Sequence, residues 1–304
     1  MPASAGHGSK NSRRSFARKS VRFFHMELIA SDCHPLTIGR TIGDFPIGNI
    51  ALSAHQRRAV GSAALGVHSH AWLAADEVAL LAAGEGGSLL DASGEKIAWR
   101  LDGAGNAIAA RESFLICYPW DFLRANEAWV GSLQENITNG EVHQMAVIEG
   151  LIHVGEGTRI LPGVFIEGNV VIGRNCKIGP NCYIRGNTSI GDDCHIGQSV
   201  EIKNTIVLDR SSIGHLSYVG DSVLGQGVNF GAGTTTSNLR HDGSNHRSTV
   251  AGELIDTGRR KFGAIIGDGV HTGINTSIYP GRKMWPGTTT LPGAIVRSDI
   301  HSGA

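Results

Sequence analysis

The sequence of 304 residues lacks the features that mark several classes of protein. Its 27 basic and 27 acidic residues leave no net charge, so no overall field would draw the chain to nucleic acid or to a membrane surface. No apolar run approaches the roughly 18 residues that a transmembrane helix requires. We therefore predict a cytoplasmic protein with no nucleic-acid partner and no membrane partner.

Cysteine is scarce and odd in number, with five residues in the chain. Cys176, Cys182 and Cys194 share one position of a sequence repeat, which elsewhere holds Thr or Val. A metal site or a disulfide is the functional interpretation of that spacing. We favour small buried side chains in a reducing compartment. Cys33 and Cys117 lack the spacing of metal ligands and receive the same interpretation.

Residues 1–25 contain no acid and carry Arg13, Arg14, Arg18, Lys19 and Arg22 among their basic residues. Within them, Ser12 to Lys19 resembles a twin-arginine export signal, which requires an apolar stretch of about 7–15 residues next. The sequence that follows, Val21 to His25, contains no such stretch. We predict a disordered basic tail, with Met26 as the natural start, and keep a transit peptide as the less favoured alternative.

A strict six-residue period runs through the second half of the chain. Neither an amphipathic helix, with a period of 3.6, nor an alternating strand, with a period of 2, explains it. Short strands and turns that stack as coils do, because each repeat can bury its apolar face only against its neighbours. The ten residues of the row are Ile148, Val154, Ile160, Ile166, Ile172, Ile178, Ile184, Ile190, Ile196 and Ile202.

The residue after each aliphatic position repeats at intervals of eighteen, so three hexapeptides make one coil. Glu149, Glu167, Arg185 and Lys203 form one such column. A further inward position, four residues past each aliphatic one, holds small or medium side chains. This pattern resembles the left-handed parallel β-helix of the hexapeptide acyltransferases. The predicted fold class is therefore mainly β, a left-handed parallel β-helix with a small N-terminal α/β domain.

The domain boundaries follow from where the period begins and breaks. We predict a small α/β domain over residues 26–145 and the β-helix over residues 146–304, with a loop inserted at 239–263. The register of the period slips after Leu208. In the first domain, Val78–Leu81, Ile97–Leu101 and Phe114–Tyr118 are predicted strands, and a helix is expected to start near Pro119.

One glycine-rich stretch in the first domain, Leu81 to Gly86, resembles the phosphate loop of sugar nucleotidyltransferases. In that family the loop continues with Thr-Arg and a Pro-Lys pair follows, whereas here Gly87 and Ser88 come next. We favour a simple turn after a strand. Because Tyr118 to Glu127 resembles that family's interdomain segment, the first domain is interpreted as a shrunken relative that has lost nucleotidyl transfer.

Several separated motifs in residues 145–300 resemble one enzyme family. These motifs are Gly214 to Asp221, Asn229 to Thr234, Ser237 to Gly243 and Thr257 to Ala264. They are similar to the acetyltransferase half of the bifunctional UDP-N-acetylglucosamine pyrophosphorylase/glucosamine-1-phosphate acetyltransferase, in its archaeal form. The resemblance implies an acetyl-CoA-dependent N-acetyltransferase that acts on an amino-sugar phosphate.

Three candidate site residues can be argued from chemistry. Acetyl transfer to an amine requires a base, and the neutral imidazole of His215 would serve, since this residue follows Gly214 at a break in the register. Arg185 and Lys203 are eighteen apart and should stack about 4.8 Å apart. An anion such as a substrate phosphate would relieve their repulsion, as Glu149 and Glu167 could also do. The alternatives are a turn histidine and two solvated charges.

The resemblance implies the remaining roles. Tyr218 and Asn229 match residues that hydrogen-bond the amino sugar, and Asn238 matches one near the reacting acyl group, where it could stabilise the developing oxyanion. The loop residues Arg259, Arg260 and Lys261 are candidates for binding phosphates of coenzyme A or the sugar. A packed tyrosine, turn-forming asparagines and a solvated charge run are the structural alternatives.

The family builds its acetyl-CoA sites across subunit boundaries, so a homotrimer is implied, and no metal is required. His241 and His246 also have a spacing similar to that of zinc-dependent carbonic anhydrases of this fold, but the acetyltransferase motif explains the stretch better. A nucleotide-linked amino sugar is an alternative acceptor. A non-catalytic scaffold or regulatory module, and an enzyme that retains nucleotidyl transfer, are alternative functions.

Overall fold

The computed structural model describes residues 35–37 and 39–301. Cys33, Met26 and the basic tail lie outside the described residues. The first domain contains a 3-10 turn at Ile42–Asp44 and three helices, which are α1 (Leu52–Val60), α2 (Ala75–Ala83) and α3 (Asp121–Gly131). Its strands are β1 (Pro46–Ile47), β2 (Ile50–Ala51), β3 (Leu65–Val67), β4 (Ala71–Trp72), β5 (Ser88–Leu90), β6 (Lys96–Arg100), β7 (Ala107–Ala109) and β8 (Phe114–Leu115).

The remaining chain forms a β-helix of three parallel sheets and one inserted hairpin. Sheet 1 contains β10 (Glu141–Val142), β13 (Arg159–Ile160), β16 (Lys177–Ile178), β19 (His195–Ile196), β22 (Ser212–Ile213), β25 (Asn229–Phe230) and β30 (His271–Thr272). Sheet 2 contains β11 (Val147–Glu149), β14 (Phe165–Glu167), β17 (Tyr183–Arg185), β20 (Glu201–Lys203), β23 (Tyr218–Gly220), β26 (Thr235–Thr236), β31 (Ser277–Ile278) and β33 (Ile295–Val296). Sheet 3 contains β9 (Ile137–Thr138), β12 (Ile152–Val154), β15 (Val170–Ile172), β18 (Thr188–Ile190), β21 (Ile206–Val207), β24 (Val223–Leu224), β29 (Ala264–Ile266) and β32 (Arg282–Met284). The hairpin pairs β27 (Arg247–Val250) with β28 (Glu253–Asp256).

The row of aliphatic residues forms the core of the β-helix, as predicted. Nine of the ten are buried, and Ile148 is half-buried because β11 is the end strand of sheet 2. The smaller inward residues, including Cys176, Cys182 and Cys194, are buried beside them. Burial raises the pKa of the Cys182 thiol to about 11, which keeps it protonated. The fold class is confirmed as a mainly β, left-handed parallel β-helix with a small α/β domain.

The shortening of the coil occurs earlier than predicted. Arg185 pairs with Lys203, eighteen residues on, but Ile190 already pairs with Val207, seventeen residues on. The missing residue therefore lies in the turn at Asn204, not after Leu208. The sequence misled because Leu208 continues the six-residue spacing. In the structure Val207 faces the inside of the coil, and Leu208 faces the first domain.

The first domain packs on the outer face of sheet 3. Apolar side chains of that face, among them Ile206, Val223 and Ile265, form one buried cluster with residues of the first domain such as Phe45 and Phe122. Both faces of sheet 3 are therefore buried, the inner one in the core of the β-helix and the outer one under the first domain, which is why apolar residues occupy both. Sheet 3 is therefore the sheet of the β-helix on which the first domain packs.

Two details of the first domain differ from prediction. Val78–Leu81 is not a strand but part of α2, where acidic residues occupy the first turn and Val78 and Leu81 face the core. Gly84 ends this helix with a φ of 83°, so the glycine-rich stretch follows a helix, not a strand. None of the helices in the described residues has both the length and the apolar character needed to span a bilayer.

Candidate functional site

Arg185 and Lys203 lie next to each other on sheet 2. Their strands β17 and β20 pair in parallel with these two residues in register, as the spacing of eighteen predicts. Lys203 is in turn level with Gly220 of β23. The two cations therefore form a column at the carboxyl ends of the sheet 2 strands, where the chain turns towards sheet 3.

Each cation of the column has a carboxylate of its own. The Arg185 guanidinium donates to Glu201 at 2.9 and 2.7 Å, and the Lys203 ammonium donates to Asp221 at 3.1 and 2.8 Å. The suggestion that Glu149 and Glu167 could relieve the repulsion points to the wrong acids, because Glu201 and Asp221 hold the two cations. The pair of Lys203 and Asp221 is largely buried, with side-chain exposures of 16% and 3%.

Asn238 and Tyr218 extend this column into a network. The Asn238 amide donates to the Asp221 carboxylate at 2.6 Å and to the Tyr218 hydroxyl oxygen at 2.9 Å. The missing side chain of Gly220 makes the arrangement possible. A Cβ atom there would lie 2.4 Å from the tyrosine oxygen and 2.7 Å from the asparagine nitrogen. Glycine at this position therefore lets both side chains cross the strand.

The environment keeps Tyr218 able to donate a hydrogen bond. Burial, followed by the carboxylates of Asp221 and Glu201, raises the pKa of the Tyr218 phenol. Its oxygen accepts from Asn238, so its proton is available to another acceptor. A phosphate or sugar oxygen beside Lys203 would be an acceptor of the right kind.

His215 and Asn229 lie apart from this network. His215 is exposed in the turn between β22 and β23, where its backbone carbonyl accepts from Gly233 at 2.8 Å. Burial and the charges of Lys177 and His215 lower the pKa of His195, so the His215 ring lies within electrostatic reach of sheet 1. Asn229 is exposed on that same sheet. Tyr218, at the start of β23, is the member of the network that follows His215 most closely in the chain, three residues later.

The three basic residues predicted as ligand-binding in the inserted segment have different surroundings. Arg259 is an ion-pair partner of Glu127, a residue of α3 in the first domain. Arg260 and Lys261 are exposed, and Lys261 forms a β-bridge with Leu239. The structure therefore places Arg259 beside the network and leaves Arg260 and Lys261 at the surface.

His246, one of the two histidines considered for zinc, supports the backbone of the site. It is buried, and its Nε2 atom lies 2.9 Å from the carbonyl oxygen of Asn238. Burial lowers the pKa of His246, which favours the neutral ring. The backbone N–H of Phe262 donates to the same carbonyl at 3.0 Å. The inserted segment therefore binds the backbone carbonyl of Asn238, while the side-chain amide of Asn238 donates to Asp221.

A groove adjoins the network on the carboxyl side of Asn238. Its volume is about 550 Å³, and it is lined by Ser237, Leu239, Arg240, His241, Asp242, Tyr279 and Pro280. Apolar and aromatic side chains line it alongside charged ones, which suits a ligand with both a ring and polar groups.

Sequence reasoning missed the acids that organise the site. Asp221 lies within a quoted motif, but its role emerges only from the contacts that it makes with Lys203 and Asn238. Glu201 precedes Lys203 by two residues and lies on the same face of β20, a signal that the strand period could have supplied. Glu127 comes from another domain and has no such signal.

Comparison with known proteins shows which sequences this chain resembles. A family model described as the GMPPB C-terminal domain matches residues 166–283. A bifunctional sugar-1-phosphate nucleotidylyltransferase/acetyltransferase of Sulfurisphaera tokodaii is 42% identical over 185 residues, which are 61% of this chain and 46% of that protein. A bifunctional protein GlmU of Methanococcus maripaludis is 48% identical over 191 residues, which are 62% of this chain and 46% of the relative.

The chain thus spans about half the length of the curated relatives that it matches. The resemblance inferred from the separated motifs is confirmed at the level of sequence. Among solved structures, the polysialic acid O-acetyltransferase OatWY matches with a TM-score of 0.23 and 18% identity, over 55% of this chain and 80% of that one. That score is too low to add to the description of the fold.

Proposed function

We propose that this chain is an acetyl-CoA-dependent N-acetyltransferase whose acceptor is an amino-sugar phosphate, such as glucosamine-1-phosphate or galactosamine-1-phosphate. The observation that carries the proposal is the network of Lys203, Asp221, Asn238 and Tyr218 beside Arg185. It lies within residues 166–283, which the family model matches, and one relative of the chain is named as a bifunctional sugar-1-phosphate nucleotidylyltransferase/acetyltransferase. Two cations and a phenol proton would bind a phosphate and its sugar.

The mechanism that fits these residues is direct transfer. His215 accepts a proton from the sugar amine, and the nitrogen attacks the carbonyl carbon of the thioester. Asn238 is proposed to support the oxyanion of the tetrahedral intermediate, which requires its amide to release Asp221 or the Tyr218 hydroxyl oxygen, because the network uses both of its N–H groups. The carbon–sulfur bond then breaks, the proton held by His215 passes to the sulfur, and coenzyme A leaves as a thiol. His215 is exposed and lies three residues before Tyr218, a suitable position for a base at the border of the network.

Arg260 and Lys261 are proposed to bind phosphates of coenzyme A, because both are exposed on the inserted segment. Arg259 is less available, since Glu127 already holds its guanidinium. Asn229 is proposed to contact the sugar from sheet 1. The reaction needs no metal, and these substrates together with buried free thiols are consistent with a cytoplasmic location.

A homotrimer is part of the same proposal. Sheet 3 is covered by the first domain, whereas the turns between sheets 1 and 2 expose Leu216 (71%), Ile274 (52%) and Leu291 (80%). An apolar edge of this kind is suited to contact between subunits. Light scattering coupled to gel filtration should give the mass of three chains, and the mass of one chain would contradict the proposal.

A nucleotide-linked amino sugar is the second candidate acceptor. The groove of about 550 Å³ beside Asn238 favours it, because Tyr279 and Leu239 could pack against a base while the phosphates stay near Lys203.

One assay tests both candidates. The protein is incubated with acetyl-CoA and a panel of amino-sugar phosphates and nucleotide-linked amino sugars, and thiol release is followed. We expect release with an amino-sugar 1-phosphate. Release only with a nucleotide-linked sugar would select the second candidate. Absence of release with every acceptor, together with no binding of coenzyme A in calorimetry, would favour a non-catalytic scaffold. Binding of UTP would indicate that nucleotidyl transfer persists.

A further inference from the structure

Helix α3 of the first domain brings an acid to the edge of the candidate site. One oxygen of Glu127 accepts from the Asn204 amide at 2.6 Å. The Arg259 guanidinium donates to both carboxylate oxygens, at 3.3 Å to Oε2 and at a shorter distance to Oε1. Glu127 thus contacts one residue of a β-helix turn and one residue of the inserted segment.

Both contacts lead to residues of the network. The amide nitrogen of Asn204 that binds Glu127 also donates to Asp221 at 3.1 Å, and Asp221 holds Lys203 and Asn238. Arg259 is linked to Asn238 through His246. The His246 N–H donates to the Arg259 carbonyl at 2.8 Å, and the His246 Nε2 atom lies 2.9 Å from the Asn238 carbonyl oxygen. The Glu127 carboxylate is therefore two hydrogen bonds away from Asp221, and three from Lys203 and from the Asn238 side chain.

Helix α3 holds Glu127 at a fixed place relative to the β-helix. The neighbouring Asn126 is buried, and its side chain accepts from Gly48 N–H and from the Ser189 hydroxyl at 2.9 Å. Its amide donates to the Asn187 carbonyl at 2.8 Å. These bonds span both domains, so a carboxylate one residue further along the helix has little freedom to move.

The charges around the site explain what Glu127 does. Arg185, Lys203 and Arg259 face the acids Glu201, Asp221 and Glu127 one to one. Without Glu127, the Arg259 guanidinium would be an unpaired cation in a partly buried place, with an Nε atom that already lacks a partner. Asn204 links Glu127 to Asp221, and the charge of Arg259 also acts on the buried Asp121 of α3, whose pKa it lowers against the larger raising effect of burial.

We propose that Glu127 is a positioning residue of the transferase site, and that the first domain thereby completes the binding site for the sugar phosphate. It engages Arg259 and so leaves Asp221 free to orient Lys203 and Asn238. The proposal rests on the proposed function and adds a role for the first domain. Glu127 itself does not touch the reacting atoms.

The test compares Glu127→Ala with wild type in the thiol-release assay, varying the sugar phosphate and acetyl-CoA separately. Because hydrogen bonds to charged groups contribute about 1.5–3 kcal/mol, we expect the KM for the sugar phosphate to rise about tenfold or more. The KM for acetyl-CoA should change less than twofold. Glu127→Gln, which keeps an oxygen for Asn204, should show a smaller rise. Glu95→Ala, at an exposed acid of the same domain, is the matched control.

A second substitution separates positioning from a general structural role. Since a freed Arg259 causes the disturbance, the double variant Glu127→Ala/Arg259→Ala should recover part of the affinity for the sugar phosphate. A KM for the sugar phosphate within twofold of wild type in Glu127→Ala would overturn the proposal, as would equal rises in both KM values or a double variant weaker than the single one.

Calorimetry with glucosamine-1-phosphate makes the outcome independent of turnover. If wild type releases no thiol, the proposed function fails, but weaker binding of this ligand to Glu127→Ala than to wild type would still support the positioning role. Absence of binding to wild type, or equal binding to both proteins, would overturn it.

Discussion

At the scale of single residues, Asp221 organises the candidate site. Its buried carboxylate binds the Lys203 ammonium, the Asn238 amide and the Asn204 amide, so one acid orients three groups. Asp221 has a φ of 49°, a left-handed conformation that Asp tolerates better than most residues. The same turn geometry occurs at Asn204, with a φ of 47°. Both polar side chains lie where the coil is one residue short.

The first prediction concerns His215. If it is the general base, His215→Ala should lower kcat by about 10²–10⁴-fold. Its exposure predicts an unchanged melting temperature. Steady-state kinetics and thermal denaturation measure the two effects. His271→Ala, at an exposed histidine of sheet 1, is the matched control and should retain activity. Turnover at the wild-type rate in His215→Ala would remove the base from the mechanism.

The second prediction concerns pH and Glu77. Burial raises the pKa of this carboxyl, but hydrogen bonds from the Ser113 hydroxyl and from the N–H groups of Arg111, Ser113 and Glu112 together lower it below its usual value. An acid whose pKa is lower in the folded state stabilises the fold above its unfolded pKa, and this contribution is lost as the pH falls through the folded value.

Glu77→Gln should therefore reduce the free energy of unfolding at pH 7 by about 1–3 kcal/mol. The difference from wild type should shrink as the pH falls below the ordinary pKa of a glutamate carboxyl, about 4.3. Urea unfolding at a series of pH values measures it. Glu95→Gln, at an exposed acid, should show no such trend. A difference that stays constant from pH 7 to pH 3 would contradict the assignment.

At the scale of elements, the shortened turn shows how a periodic sequence can be misread. The run Ile206-Val207-Leu208 contains three aliphatic residues, and the six-residue count selects Leu208 as the inward one. The hydrogen-bond register selects Val207, because the turn at Asn204 has one residue fewer. The sequence could not decide between them, since both faces of sheet 3 are buried and apolar residues are acceptable on either.

The third prediction concerns the docking of α3. Asn126→Ala would leave the Gly48 N–H, the Ser189 hydroxyl and the Asn187 carbonyl without their present partner. We expect a loss of about 3 kcal/mol in the free energy of unfolding, because buried polar groups without partners cost about 1–3 kcal/mol each. Denaturant unfolding measures it, and Asn106→Ala, at an exposed position, is the control. A change below about 0.5 kcal/mol, typical of surface substitutions, would show that Asn126 does not hold the two domains together.

At the scale of the whole molecule, the first domain covers sheet 3, one of the three sheets of the β-helix. Ile206, Val223 and Ile265 are at most 1% exposed, and all three contact the cluster that the first domain contributes. The domain therefore shields sheet 3 and, through Glu127, reaches the network at the border of sheet 2. Shielding explains its presence without any nucleotidyl transfer.

The fourth prediction tests this shielding. A fragment of residues 134–304 should aggregate, because it exposes a continuous apolar face. Light scattering and binding of a hydrophobic dye measure the effect. The same fragment with Ile206→Thr, Val223→Thr and Ile265→Thr is the control and should be more soluble. A monodisperse unmodified fragment would mean that sheet 3 does not depend on the first domain.

The amino-acid sequence by itself determined the β-helix, its inward row and the stacking of Arg185 on Lys203. These features depend on a local repeat, and each coil contacts only its neighbours, so the period carries the geometry. Only the tertiary structure decided that Asp221 and Glu201 hold the cations and that Glu127 and Arg259 meet beside them. Such contacts join residues up to 132 positions apart. They depend on one shortened turn and on the packing of a separate domain, and the six-residue repeat predicts neither.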